Sequence, residues 1–259
     1  MARNAALRSP TARPARGVSR DGRIANRRTL VTGGTRGIGA AIAQALVEAG
    51  YEVTVTGTAS GEGRAPAGCA YRPCDFSDPK ALKAFAGEVA GLDLGVLINN
   101  AGINKVGSIE QYDPDDFAKI QQVNVTAPFA LCRAVVPGMR RRRFGRIVNI
   151  ASIFGVISRS GRSAYSASKF GLVGLTRALA LEVAADNILV NCVSPGFVDT
   201  ELTRGILGAQ GIAEAVRQVP LGRLAQPAEI ARCVRFLVGE ENTYLTGQNI
   251  IVDGGVTCG

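Results

Sequence analysis

The sequence predicts one α/β domain, doubly wound, with a parallel sheet covered by helices on both faces. Three observations lead there. Short apolar runs alternate along the chain with segments of helical period, the pattern of repeated βα units. A glycine-rich turn, Gly33 to Gly39, stands directly between the first such run and the first such helix. Nearly half of the 259 residues are apolar, which suits one full core and does not require two.

In chain order, a strand is expected over 29–32, followed by Gly33-Gly34-Thr35-Arg36-Gly37-Ile38-Gly39 and a helix over 38–48 that stops at Gly50. Between a strand and a helix, glycines let the backbone approach a pyrophosphate, while the helix start offers N–H groups and a positive dipole. The same glycines also serve as plain turn residues. The second strand, 51–56, ends in Gly57-Thr58, about where a site for NAD places an acid to hold the ribose hydroxyls. Here the nearest acid is Glu62, while Arg36 sits inside the glycine turn, either as a clamp for a 2′-phosphate or as a solvated turn residue. Both observations favour NADP(H) over NAD(H).

A strand over 71–74 delivers Asp75, and Asp78-Pro79 opens a helix with Asp as cap and Pro at its first position. The strand 94–98 closes in Asn99-Asn100-Ala101-Gly102. Asp113-Pro114 opens a long helix that carries Asn124 in its middle, kinks at Pro128 and ends in four arginines, 140–143. The strand 188–193 stops at Ser194-Pro195-Gly196, Gln226-Pro227 starts another helix, and 248–252 forms a last strand.

The most informative stretch is 147–171. A buried strand over 147–151 presents Ser152 at its carboxyl end, and a helix opening near Ser163 carries Tyr165 and Lys169 on one face. An ammonium that close lowers a phenol's pKa from about 10, so Tyr165 is expected to exchange a proton with a substrate oxygen near neutral pH. The Ser152 hydroxyl can hydrogen-bond the same oxygen. Taken alone, Tyr-x-x-x-Lys equally describes an ordinary amphipathic helix. The chain has no histidine, which excludes Ser-His-Asp and Cys-His catalysis and argues against a zinc site, so no metal is expected. Six scattered cysteines without a Cys-x-x-Cys pair read as reduced thiols of a cytoplasmic protein.

The net charge of +9 is concentrated at one end: residues 1–28 hold eight arginines and one acid, a local +7, which leaves +2 for the rest. Residues 1–25 therefore read as a basic, disordered, solvated arm. It lacks the apolar stretch of a secretory signal, although its Arg-rich, acid-poor makeup is also that of an organelle transit peptide. The arm has no aromatic residues, so neither nucleic acid nor membrane is expected as a partner.

Together, Thr32-Gly33-x-x-x-Gly37-Ile38-Gly39, Asp75, Asn99-Asn100-Ala101-Gly102, Asn124, Ser152, Tyr165-x-x-x-Lys169 and Pro195-Gly196 resemble the short-chain dehydrogenase/reductase family, and the likeness runs from about Arg27 to Gly255. The resemblance implies that 26–259 form a Rossmann domain with a seven-stranded parallel sheet, usually a homotetramer, which interconverts a ketone and a secondary alcohol with NAD(P). It makes Tyr165 the general acid/base, gives Lys169 the nicotinamide ribose, lets Ser152 polarise the carbonyl and has Asn124 anchor a water that relays protons to Lys169. The cofactor would lie along Thr32, Gly33, Thr35, Arg36, Gly37, Ile38, Gly39 and Thr58. Asp75 would meet the adenine, Asn99, Ala101 and Gly102 the ribose and pyrophosphate path, and Pro195, Gly196, Val198 and Thr200 the carboxamide.

Within the family the nearest resemblance is to 3-oxoacyl-(acyl-carrier-protein) reductases, which implies a β-keto thioester substrate, free or carrier-bound. Dehydrogenases of sugars, polyols or cyclic alcohols share the skeleton, and a nucleotide-sensing protein without turnover would lack part of the Ser152, Tyr165 and Lys169 set. The segment 200–222 is expected as a lid, with Ile206, Leu207, Ile212 and Val216 as its inner face or as ordinary core. Arg159 and Arg162 lie near the pocket mouth, either favouring an anionic substrate or solvated. The arginines 140–143 either dock an acidic carrier or answer the helix dipole, and Asp186, acidic at the second docking position, counts against a carrier.

Overall fold

Apolar strands that alternate their side chains between two helical layers build the structure. The computed structural model describes residues 26–60 and 65–259, so the basic arm 1–25 and Glu62 lie outside the described residues. Among the described residues are strands β1 (Arg28–Val31), β2 (Glu52–Gly57), β3 (Ala70–Pro73), β4 (Val96–Asn99), β5 (Gly145–Ile150), β6 (Ile188–Pro195) and β7 (Asn249–Val252). They form one parallel seven-stranded sheet in the order β3-β2-β1-β4-β5-β6-β7. Helices α1 (Gly37–Glu48), α2 (Pro79–Ala90), α3 (Pro114–Gln121), α4 (Ala127–Arg142), α5 (Ser163–Val183), α6 (Glu201–Gln218) and α7 (Pro227–Val238) lie between the strands in sequence.

The period of two divides the core. Val31, Val96, Ile98 and Val148 face Ile42 and Leu46 of α1 and Ile230 and Val234 of α7. Their strand neighbours Leu30, Leu97 and Ile147 face Phe85 of α2, Leu131 and Met139 of α4 and Val183 of α5. With both faces covered, the strands are near-continuous apolar runs. Strand order reverses between β1 and β4, which opens a crevice at their carboxyl ends. The glycine turn, the loop after Asn99, Ser152 and Gly196 all follow strand ends on that side.

The cap chemistry read from the sequence sets the helix starts. Asp78 accepts the Lys80 N–H at 2.8 Å and Asp113 that of Asp115 at 2.9 Å, each with Pro at the first helical position. Gln226 and Glu229 form a capping box at α7. The single long helix expected across Asn124 is instead two, joined by a π-turn at Gln122–Thr126, and the break precedes Pro128. Pro128 has no N–H for the carbonyl four residues back, Asn124, so the α ladder cannot run through. Helix α6 is also interrupted, at Gly208, where φ is +61°.

A polar chain crosses this apolar interior. Asn149 of β5 is fully buried, accepts from Asn99 Nδ2 at 2.8 Å and donates to Thr176 Oγ1 of α5 at 2.8 Å. Thr176 also meets Cys192 Sγ of β6 at 3.0 Å. The network fixes α5 against β4, β5 and β6 beside the site. Asn149→Ala removes a hydrogen bond from each partner, leaves Asn99 Nδ2 only its long contact with Cys132 Sγ and opens a cavity, and should lower stability by about 2–5 kcal/mol. Urea unfolding of the two proteins measures it, and a change below about 1 kcal/mol would show that the network contributes little.

Candidate active site

The glycine turn is held in shape by the loop after β4. The buried Thr32 hydroxyl accepts the N–H groups of Asn100 and Ala101 at 2.9 and 3.0 Å, and Asn100 Nδ2 returns bonds to the carbonyls of Thr32 and Gly33 at 2.9 and 3.0 Å. A Cβ on Gly39 would stand 2.3 Å from the Gly33 carbonyl oxygen, so that position admits no side chain. Gly33 and Gly37 take φ of +61° and +55°. The α1 N-terminus has no side-chain cap, since Arg36 precedes it in extended conformation, and no acid in its first turn. A bare helix start beside a glycine cradle fits a dinucleotide pyrophosphate.

The other expected cofactor residues lie around this turn to different degrees. Thr200, the cap of α6, packs its methyl 3.4 Å from the Cβ direction of Gly37. Arg36 is largely exposed, 3.6 Å from Glu201. Thr35 packs against Gly57, while Thr58 is exposed and Ile38 half-buried. Asp75 accepts the Ser77 N–H at 2.9 Å, and bonding to Ser77 holds its carboxyl below the usual range. Val198 is buried and bridges Ala225, Pro195 ends β6, and Gly196 donates to the Val252 carbonyl at 2.9 Å. The Asn99 side chain is 2 % exposed and turned to Asn149 and Cys132. Its neighbour Asn100, quoted in the motif but given no role from sequence, makes the contacts to the turn.

Ser152, Tyr165 and Lys169 come together where β5 and the start of α5 meet. Ser152 stands two residues past the end of β5 and accepts the Phe154 N–H at 3.2 Å. Lys169 is 4 % exposed, donates to the Ile150 carbonyl at 2.9 Å and lies 5.5 Å from the centre of the Tyr165 ring. Tyr165 is half-buried and stands edge-on to Phe154. A Cβ on Gly102 would be 3.6 Å from Lys169 Nζ and 3.4 Å from Asn124 Oδ1, which joins the β4 loop to the same place. Asn124 exchanges two 2.9 Å bonds with the Ile103 backbone and donates to Ser168 Oγ at 3.0 Å. Its side chain therefore fixes the loop wall.

The electrostatics depart from the sequence expectation. Desolvation raises the Tyr165 phenol above 10, with Ser152 and Arg162, not Lys169, pulling it back. Burial likewise lowers Lys169 to about 8. Between pH 8 and 10.5 the unfolded chain therefore binds the proton that folded Lys169 has lost, and stability from this group rises with pH. The stability of the parent protein relative to Lys169→Met should thus increase between pH 8 and 10, as followed by urea unfolding. A flat or falling difference would place the ammonium in a solvated environment.

Comparison with known proteins agrees with this geometry. The family model described as Enoyl-(Acyl carrier protein) reductase matches residues 33–257. A 3-oxoacyl-(acyl-carrier-protein) reductase of Vibrio cholerae is 38% identical over 238 residues, covering 88% of this chain and 96% of the relative. An acetoacetyl-CoA reductase of Shinella zoogloeoides is 42% identical over 237 residues, covering 89% and 98%. The structure of a gluconate 5-dehydrogenase from Burkholderia cenocepacia, in complex with NADP and tartrate, superposes with a TM-score of 0.84 at 28% identity, covering 92% and 98%. The chain belongs to the short-chain dehydrogenase/reductase family and is an NAD(P)-dependent oxidoreductase acting on CH–OH and carbonyl groups.

Proposed function

We propose that this enzyme reduces short 3-oxoacyl thioesters with NADPH. The observation that carries the reading is the convergence of Ser152, Tyr165 and Lys169 beside Gly102, within one crevice with the uncapped start of α1. The bound cofactor supplies the hydride. Gly33, Gly37 and Gly39 admit its pyrophosphate, and Arg36 turns from an exposed, weak pair with Glu201 to the 2′-phosphate. Ser152 donates to the substrate carbonyl oxygen and Tyr165 gives it a proton. A phenol kept protonated by burial suits a donor in the reductive direction. Lys169 holds the ribose, and Asn124 keeps the loop wall in place.

The thioester reading is supported by relatives that act on 3-oxoacyl-(acyl-carrier-protein) and acetoacetyl-CoA. Helix α6 serves as the lid, and its Ile206, Leu207, Ile212 and Val216 are half-buried. Arg140 and Arg143 both bind Asp186, at 3.0 and 2.9 Å, and Arg142 binds Asp93, so three of the four arginines are engaged within the chain. That arrangement favours a coenzyme A thioester over an acidic carrier. Exposed Phe129 of α4 and Phe170 and Leu181 of α5 support a homotetramer built through these helices. Six free cysteines support a cytoplasmic enzyme. Among the described residues no helix is long and apolar enough to cross a membrane.

Tyr165→Phe should reduce turnover of an acetoacetyl thioester by about 1,000-fold while NADPH binds within about threefold of the parent. Unimpaired turnover in the variant would remove Tyr165 from the chemistry, and an inactive parent that binds NADPH would end the thioester reading. Arg36→Ala should raise KM for NADPH about tenfold and leave KM for NADH nearly unchanged. Equal effects on both cofactors would deny Arg36 the 2′-phosphate.

A further inference from the structure

Arg162 immediately precedes α5, three positions before Tyr165, and only 4 % of it is exposed. Its guanidinium makes no hydrogen bond and no ion pair among the described residues, and its Nε is buried without a partner. Arg146, buried to a similar degree and with its Nε also unpartnered, still donates through its terminal nitrogens to the carbonyls of Gly145, Asn187 and Asn242. The Arg162 guanidinium lies 5.1 Å from the Phe154 ring centre, and Tyr165 packs edge-on to that same ring at 6.3 Å. Arg159 lies over Phe154 at 5.4 Å and over Phe197 at 5.8 Å, and reaches Gln218 of α6 at 3.5 Å. The charged or ionisable neighbours acting on Arg162 are Arg159, Tyr165 and Tyr112, none of them a carboxylate. A buried cation with a second cation beside it is costly unless an anion joins them.

We propose that Arg162 is a carboxylate-binding residue of the substrate pocket, with Arg159 at the rim, and that the enzyme also interconverts free short 3-oxo acids and 3-hydroxy acids. The Arg162 guanidinium and the Tyr165 ring pack on the same Phe154 ring, 5.1 and 6.3 Å from its centre, so an anion held at Arg162 lies close to Tyr165. That suits a substrate in which one carbon separates the carboxylate from the carbonyl that Tyr165 serves. In reduction one hydride from NADPH and one proton, delivered by Tyr165, add across the C3 carbonyl. A secondary alcohol forms, NADPH becomes NADP+, and the carboxylate is unchanged. The proposal rests on the assignment of Tyr165 as general acid and not on the thioester reading.

The test compares acetoacetate with its neutral methyl ester, and with an acetoacetyl thioester, in the parent, Arg162→Gln and Arg162→Lys. The parent should prefer the acid to the methyl ester. The acid-to-ester ratio of kcat/KM should fall about 100-fold in Arg162→Gln and recover partly in Arg162→Lys. The ratio cancels any general effect of the substitution on Tyr165 or on folding. Binding of 3-hydroxybutyrate to the NADPH complex, where turnover is impossible, should weaken at least about tenfold in Arg162→Gln when followed by calorimetry. Equal losses for acid and ester, a parent that prefers the ester, or unchanged binding of 3-hydroxybutyrate would each overturn the proposal. If the acid behaves as expected and the thioester is not reduced, the thioester reading fails alone.

Discussion

The tie between the ends of β1 and β4 is the constraint on which the rest of the site depends. A parallel sheet whose order reverses leaves a crevice at that point, but a crevice alone has no fixed shape. Thr32 and Asn100 give it one: four hydrogen bonds join Thr32 and Gly33 of the turn to Asn100 and Ala101 of the next loop. Gly33 and Gly39 then permit a closeness that a methyl group would forbid. Because the loop that follows Asn100 also carries Gly102 and Ile103, the same tie positions the wall against Asn124 and Lys169. Cofactor cradle and reaction centre are thus two ends of one clasped loop.

Much of this was legible in the residues. Strand and helix alternation, Asp-Pro helix starts and the strand–glycine–helix turn rest on local rules, and they placed the sheet and the crevice. The spacing of Tyr165 and Lys169 placed those two on one helical face because a helical turn is short, while the end of an apolar strand gave Ser152 its separate place. Contacts that cross the fold were not legible. Nothing local distinguishes Asn99, facing Asn149 and Cys132 in the interior, from Asn100, facing the turn; the alternation of a strand end decides it. The π-turn at Gln122–Thr126 was also missed, although Pro128 gave a signal: the residue that loses its α partner is the one four before a proline, here Asn124.

The sign of the Tyr165 shift shows why spacing alone misleads in electrostatics. Proximity of an ammonium was expected to dominate, but Lys169 is itself buried and lowered to about 8, with its proton directed at the Ile150 carbonyl. Desolvation acts on both members of the pair, raising the phenol and lowering the amine, so each tends toward neutrality. The phenol is then a poised donor, and Lys169, still mostly an ammonium near pH 7, a hydrogen-bonding anchor. A cationic cofactor ring or an anionic substrate entering the crevice then changes the balance at the moment of reaction.

Arg162 completes that electrostatic picture. It cannot shed its proton as Lys169 can, because a guanidinium stays charged in any ordinary range. Its charge beside Tyr165 therefore persists through the catalytic cycle, and the Phe154 face offers it partial compensation. A permanent positive charge next to a buried phenol assists loss of the phenolic proton, which opposes the effect of burial. A carboxylate seated on Arg162 would cancel that assistance and reinforce the protonated form that burial already imposes on the phenol. The same contact that recognises an oxo acid would thereby bear on the phenol that serves its carbonyl, so carboxylate binding and the protonation of Tyr165 would be coupled through one side chain.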